Sequence, residues 1–211
     1  FCHLALGMSM LNAFLIGSVI SSTDAASVFS ILKSKKLSLK YNTDSLLEIE
    51  SGSNDPFAYM LTTIALSAME SGAVSAGRIV IDIILQIGIG ALFGFLTAFA
   101  SIWLLRKLRL AEGFSAVLIV AVAILTYAVT SLCRGNGYLA AYIAGIMLGN
   151  ADMTGRRQLV SFFSGLDSIM QILIFFLLGL LAFPHQIISN APVAIAIFLF
   201  MTIIARPVSV F

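Results

Sequence analysis

Residues 21–25, Ser-Ser-Thr-Asp-Ala, and residues 50–56, Glu-Ser-Gly-Ser-Asn-Asp-Pro, place carboxylates inside apolar sequence long enough to cross a bilayer. One charge at the centre of a spanning helix costs about 2.5–3.5 kcal/mol on insertion scales. A chain that carries such charges has to give them partners or a water-filled cavity, and acids so placed mark ion and proton pathways.

The rest of the chain has the composition of a membrane protein. Of 211 residues, 60 % are hydrophobic and 10 % charged, whereas a soluble domain carries about 25 % charged residues to cover its surface. The expected fold class is therefore an all-α polytopic membrane protein. A net charge of +2, with no basic patch interleaved with aromatics and no Walker-type glycine loop, gives no sign of a nucleic-acid or nucleotide partner. Cys2 and Cys133 lack metal-ligand spacing, so neither a cofactor nor a resident metal is expected. No signal peptide is visible, and both ends fall within apolar stretches, as in a piece of a longer protein.

The apolar runs predict a helix tail at Phe1–Met10 and spans at Leu11–Leu32, Thr43–Met69, Arg78–Leu105, Gly113–Leu132, Gly137–Gly149 and Leu159–Phe183. A last span begins at Asn190. If each crosses, nine cations (Lys33, Lys35, Lys36, Lys40, Arg106, Lys107, Arg109, Arg156 and Arg157) collect on one side and only Arg78 and Arg134 on the other. The positive-inside rule then makes loops 33–40, 106–112 and 150–158 cytoplasmic, in a multi-pass protein of the cell membrane. Gly90 and Gly94 have the Gly-x-x-x-Gly spacing of a helix–helix dimer contact.

Ser21–Asp24 interrupts the first full span. Ser, Thr and Asp compete for backbone hydrogen bonds and favour helix starts. Thr23 or Asp24 can thus end one half-helix and cap a second, with Asp24 facing the positive end of its dipole. Discontinuous helices of this kind build midplane ion sites in transporters. The alternative is a continuous helix whose Ser and Thr bond back to earlier carbonyls, which leaves Asp24 unexplained.

In the next span, Glu50 with Asn54 and Ser51 with Asp55 are four apart, so each pair shares a stripe. Asp55 lies ~18 Å from the cytoplasmic end, near mid-bilayer, and Asp24 reaches a similar depth from the other side. Pro56 removes a backbone donor and frees a carbonyl near Gly52. A free carbonyl beside a carboxylate suits a hard monovalent cation, although a packed kink would also account for the proline. One acid that holds either a proton or a cation exchanges them by competition. Asn54 is neutral, so the simplest stoichiometry is one proton for one cation, without net charge movement.

Arg206 is the one cation inside a span, roughly 6–8 Å from the cytoplasmic side, and Glu50 lies ~10 Å from that side. Buried charges pair, so the two form a candidate structural ion pair. Snorkelling of Arg206 to the interface is the alternative.

Ser-Thr-Asp-Ala (22–25), Glu-Ser-Gly-Ser-Asn-Asp-Pro (50–56), Asn-Gly-Tyr-Leu-Ala-Ala-Tyr-Ile-Ala-Gly (136–145), Leu-Gly-Asn (148–150) and Arg206-Pro207 together resemble the monovalent cation:proton antiporter family, in its NhaP-type potassium/proton branch. The resemblance implies inverted repeats and a homodimer in which a core moves against a dimerisation domain. Residues 1–69 would be core, with broken helix 11–32 and acidic helix 43–69. Residues 78–105 would be a linker helix, 113–183 dimerisation-type helices, and 190–211 the start of the second core repeat. It also implies cation and proton binding at Asp55, aided by Thr23, Asp24, Ser51 and Asn54, and an ion pair of Glu50 with Arg206. The transported ion would be potassium, or sodium on the same fold. A different class, an intramembrane aspartyl protease, would need Asp24 and Asp55 close enough to share a proton. A channel would need a continuous pore, and no selectivity-filter repeat is present.

Overall fold

A computed structural model describes residues 1–23, 32, 39–40, 43–71, 76–107, 114–151 and 156–210. The described elements are helical: α1 (Met10–Ile20), α2 (Thr43–Ser71), α3 (Ala76–Lys107), α4 (Phe114–Leu132), α5 (Gly137–Asn150), α6 (Arg156–Leu181), α7 (Pro184–Phe200), a π-turn (Met201–Ala205) and α8 (Arg206–Val210). Segments Ile79–Lys107, Phe114–Leu132, Arg156–Leu181 and Pro184–Ser209 are long and apolar enough to cross a membrane. The chain is an all-α polytopic membrane protein, as its composition requires. Contacts divide it into two compact units, Phe14–Leu159 and Phe1–Ala13 with Val160–Phe211.

In the first unit the short helix α5 is the hub, packed against α2, α3 and α4. Its buried stripe, Gly137, Ala140, Ala144 and Leu148, is mostly small. The stripe it meets on α3 is also small: Gly90, Gly94, Ala98 and Ser101 are all buried. A methyl group on Gly94 would lie 2.9 Å from both the Ala140 carbonyl oxygen and Ile143 Cβ, and one on Gly90 would lie 2.9 Å from the Asn136 carbonyl oxygen. Helices that associate in lipid gain mainly from such close backbone approach. The Gly90–Gly94 spacing, which predicts a dimer contact, is thus used within the chain. This corrects that expectation: both glycines are covered by α5 and are not free to meet a second copy.

In the second unit, two expectations are revised. Phe1–Met10 is not a helix tail. Residues 2–6 form turns, the Met8 N–H donates to the Cys2 carbonyl (3.2 Å), and Gly7 has φ +65°. Glycine enters this left-handed region without a Cβ clash, and the helical ladder cannot continue through it. His3 Nδ1 donates to the Met8 carbonyl at 2.7 Å and closes the turn. The last span starts at Pro184, six residues before the expected Asn190. Proline suits a first helical turn, where its missing N–H would be unpaired in any case.

Near the chain's end the helix widens. The Arg206 N–H donates to the Met201 carbonyl, five residues back, across the π-turn. The widening has a cause in the next residue: the Pro207 ring would press on the Ile203 carbonyl in a regular α-helix and offers it no N–H.

A candidate ion site on the acidic helix

Helix α1 stops at Ile20, three residues into the serine-containing end of its run. Ser18 and Ser21 turn their hydroxyls back on the carbonyls of Phe14 (2.8 Å) and Ser18 (2.7 Å). Such back-bonding draws acceptors away from the ladder at the point where it ends. Ser21 to Thr23 are non-helical. The break therefore exists on its N-terminal side. Asp24 and the expected second half-helix lie outside the described residues.

A peptide released from a helix at membrane depth needs new hydrogen-bond partners, because lipid supplies none. Helix α2 supplies them at Thr23. The Thr23 N–H donates to Asn54 Oδ1 at 3.3 Å, and Ser51 Oγ donates to the Thr23 carbonyl. The Thr23 hydroxyl accepts from Asn54 Nδ2 and donates to Glu50 Oε1 at 3.2 Å. Asn54 Nδ2 also reaches Glu50 Oε1, at 3.1 Å, along its own stripe of the helix. One turn of α2 thus binds both backbone groups and the side chain of a single non-helical residue.

Asp55 stands beside this cluster and accepts a hydrogen bond from Ser22 Oγ at Oδ1. Its side chain is exposed, whereas Thr23, Ser51 and Asn54 are half-buried. Among the described residues one hydroxyl holds this carboxylate, which keeps lone pairs for a proton or a metal cation. Of the sequence-predicted residues, the structure groups Thr23, Glu50, Ser51 and Asn54, with Asp55 adjacent. Arg206, first residue of α8, belongs to the other compact unit. Ser22 was not singled out from the sequence as a site residue, although it stands within the Ser-Ser-Thr-Asp run that marks the break.

The opposite stripe of α2, at positions 52, 56 and 59, faces α5 and its N-terminal approach. Tyr142 covers Gly52, where a Cβ would come within 2.8 Å of the ring. Asn136 Nδ2 donates to the Pro56 carbonyl at 2.8 Å. Tyr59 meets Tyr138 at 4.4 Å between ring centres, and its hydroxyl lies 3.3 Å from that of Tyr127. Helix α2 is unbroken across Pro56 and presents one stripe to the break and another to α5.

Asp82, exposed near the start of α3, lines a cavity of about 430 Å³ together with Tyr59, Gln86, Arg134 and Asn136. Arg134 sits at φ 60°, ending α4 with the Gly135 N–H on the Thr130 carbonyl (2.9 Å) and its own N–H on the Ser131 carbonyl (3.0 Å). Glycine is the usual residue at this position of a helix-ending turn.

Comparison with known proteins agrees with the motifs. The family model described as sodium/hydrogen exchanger, transmembrane, matches residues 1–211. The chain is 38 % identical over 205 residues to the K(+)/H(+) antiporter NhaP of Alkalimonas amylolytica, covering 97 % of this chain and 36 % of that protein. It is 37 % identical over 206 residues to the K(+)/H(+) antiporter NhaP2 of Shewanella oneidensis, covering 95 % and 35 %. Identity to the Na(+)/H(+) antiporter NhaS2 of Synechocystis is 26 % over 198 residues, covering 91 % and 36 %. The chain spans about a third of the length of these curated relatives. With a match along its whole length, the chain belongs to the sodium/hydrogen exchanger transmembrane family.

Proposed function

We propose that the protein exchanges a monovalent cation, potassium in preference to sodium, for protons across the cell membrane. The exchange is competition at one carboxylate, Asp55, which holds a proton or a cation but not both. The observation that carries this reading is the hydrogen-bonded closure of the helix break, in which Glu50, Ser51 and Asn54 engage every polar atom of Thr23 beside Asp55. That closure leaves hydroxyl and carbonyl oxygens beside a carboxylate, the donor set a hard cation prefers. Asp24, Thr23, Ser51 and Asn54 assist Asp55. Residues 1–69 and 190–211 act as core and residues 113–183 as dimerisation helices of a homodimer. Potassium is favoured because the relatives at 37–38 % identity are named K(+)/H(+) antiporters, and a relative named for sodium is at 26 %.

One neutral asparagine beside one titrating aspartate makes the exchange electroneutral. In everted vesicles carrying the protein at full length, added potassium should collapse an imposed pH gradient, with sodium needed at higher concentration. An imposed membrane potential should leave the rate unchanged. A rate that follows the potential would rule out one-for-one exchange, and no response to either cation would rule out antiport.

Glu50 and Arg206 form a structural ion pair in this scheme, on the strength of their matched depths. Glu50 keeps acceptor capacity for it beyond the bonds from Thr23 and Asn54. Removing one partner leaves the other charge unpaired within the membrane, where a charge costs up to about 2.5–3.5 kcal/mol on insertion scales. Glu50→Gln and Arg206→Gln should each lower membrane abundance, and Glu50→Arg combined with Arg206→Glu should recover a substantial part of it. A double variant no better than the worse single one would dissolve the pair.

A further inference from the structure

Asn136 opens the Asn-Gly-Tyr-Leu-Ala-Ala-Tyr run and has no step in the exchange above, yet it touches the residue that follows Asp55. It is 2 % exposed. Its Oδ1 accepts from the Leu139 N–H at 3.0 Å, capping α5, and its backbone N–H donates to the Gln86 carbonyl of α3 at 3.0 Å. Its Nδ2 donates to the Pro56 carbonyl of α2 at 2.8 Å. One residue thereby joins three helices.

The choice of asparagine follows from the two bonds its side chain makes. Ser, Thr, Asp and Asn all cap helices well. Reaching a carbonyl on a neighbouring helix while capping requires an acceptor and a separate donor on one short side chain, and of the four only asparagine has both. The place it supports is a weak point of α2. Pro56 supplies no N–H to the Gly52 carbonyl, so the ladder lacks a rung across the turn that carries Asp55.

We propose that Asn136 is a positioning residue for Asp55. By bracing the Pro56 carbonyl it fixes the turn from which the carboxylate meets Ser22, and so sets cation affinity. The role rests on the antiport reading, and its test separates the two. Asn136→Asp keeps the capping oxygen and loses the donor. Asn136→Ser keeps a capping hydroxyl that is too short to span to Pro56. In everted vesicles with the full-length protein, each should raise the apparent KM for potassium about fivefold, the scale of one lost hydrogen bond. Maximal rate should stay near wild type, whereas the melting temperature should fall, further in Asn136→Asp, which buries a carboxylate against the Pro56 carbonyl. Both variants keep the cap, so a residue that only caps would leave KM alone, and an unchanged KM overturns the proposal. If one variant fails to reach the membrane, the other decides. If both fail, Asn136 serves folding alone and the proposal is overturned. No response of the wild-type protein to either cation would instead overturn the antiport reading, and unchanged exchange in Asp55→Asn would overturn the assignment of Asp55.

Discussion

Asp55→Asn should reduce potassium-dependent collapse of a pH gradient to about one hundredth of wild type or less. The substitution is nearly isosteric. The amide oxygen can still accept from Ser22 Oγ, and the neighbouring contacts of Thr23 with Glu50, Ser51 and Asn54 involve other side chains. The fold should therefore survive, with membrane abundance and melting temperature close to wild type. What is lost is the charge. A neutral amide neither binds and releases a proton in the working pH range nor neutralises a cation that has left water. The cost of an unpaired charge at membrane depth, about 2.5–3.5 kcal/mol, corresponds to roughly two orders of magnitude in occupancy. Asp55→Glu, which keeps the charge and lengthens the arm, should retain measurable exchange. Asp55→Asn with unchanged kinetics would remove Asp55 from the site.

The largest effect on folding is expected at Gly94. A Cβ there would lie 2.9 Å from the Ala140 carbonyl oxygen and 3.1 Å from Ala140 Cα. Backbone atoms of α5 cannot rotate away as a flexible side chain would, so α3 and α5 have to separate along a stripe of small residues. Overpacking of this kind costs about 1–3 kcal/mol, and the close approach over neighbouring small residues would be lost with it. Gly94→Val should sharply reduce the amount of folded protein in the membrane and lower its melting temperature by several degrees. Gly145, on α5, has nothing within 4 Å of its would-be Cβ, so Gly145→Ala supplies the control and should change neither measure. Wild-type abundance and melting of Gly94→Val would refute the packing assigned to that stripe.

The helices were legible because an apolar run and its flanking charges mark a helix locally. Thr43, Leu132 and Gly137 bound helices where the sequence places them. Misreadings arose where a local signal had two outcomes. Apolar composition at Phe1–Met10 fits a helix, but Gly7 takes a left-handed conformation. The Gly90–Gly94 spacing is the same whether its partner is another chain or α5. At the site, the stripe of Glu50, Ser51, Asn54 and Asp55 follows from helical periodicity alone. The pairings with Ser22 and Asn136 do not, because their partners lie 33 and 80 residues away and no spacing rule reaches that far. The unusual residue types at both positions, a polar run in an apolar span and an asparagine at a helix start, gave the only local hint.

The π-turn at Met201–Ala205 places one additional residue in the winding just ahead of Arg206. Each added residue swings everything beyond it by about 100° around the helix axis. The compass bearing of the guanidinium is thus governed by its successor, Pro207, whose bulk props that turn open. Charge and depth are written at position 206, but azimuth is written one position later.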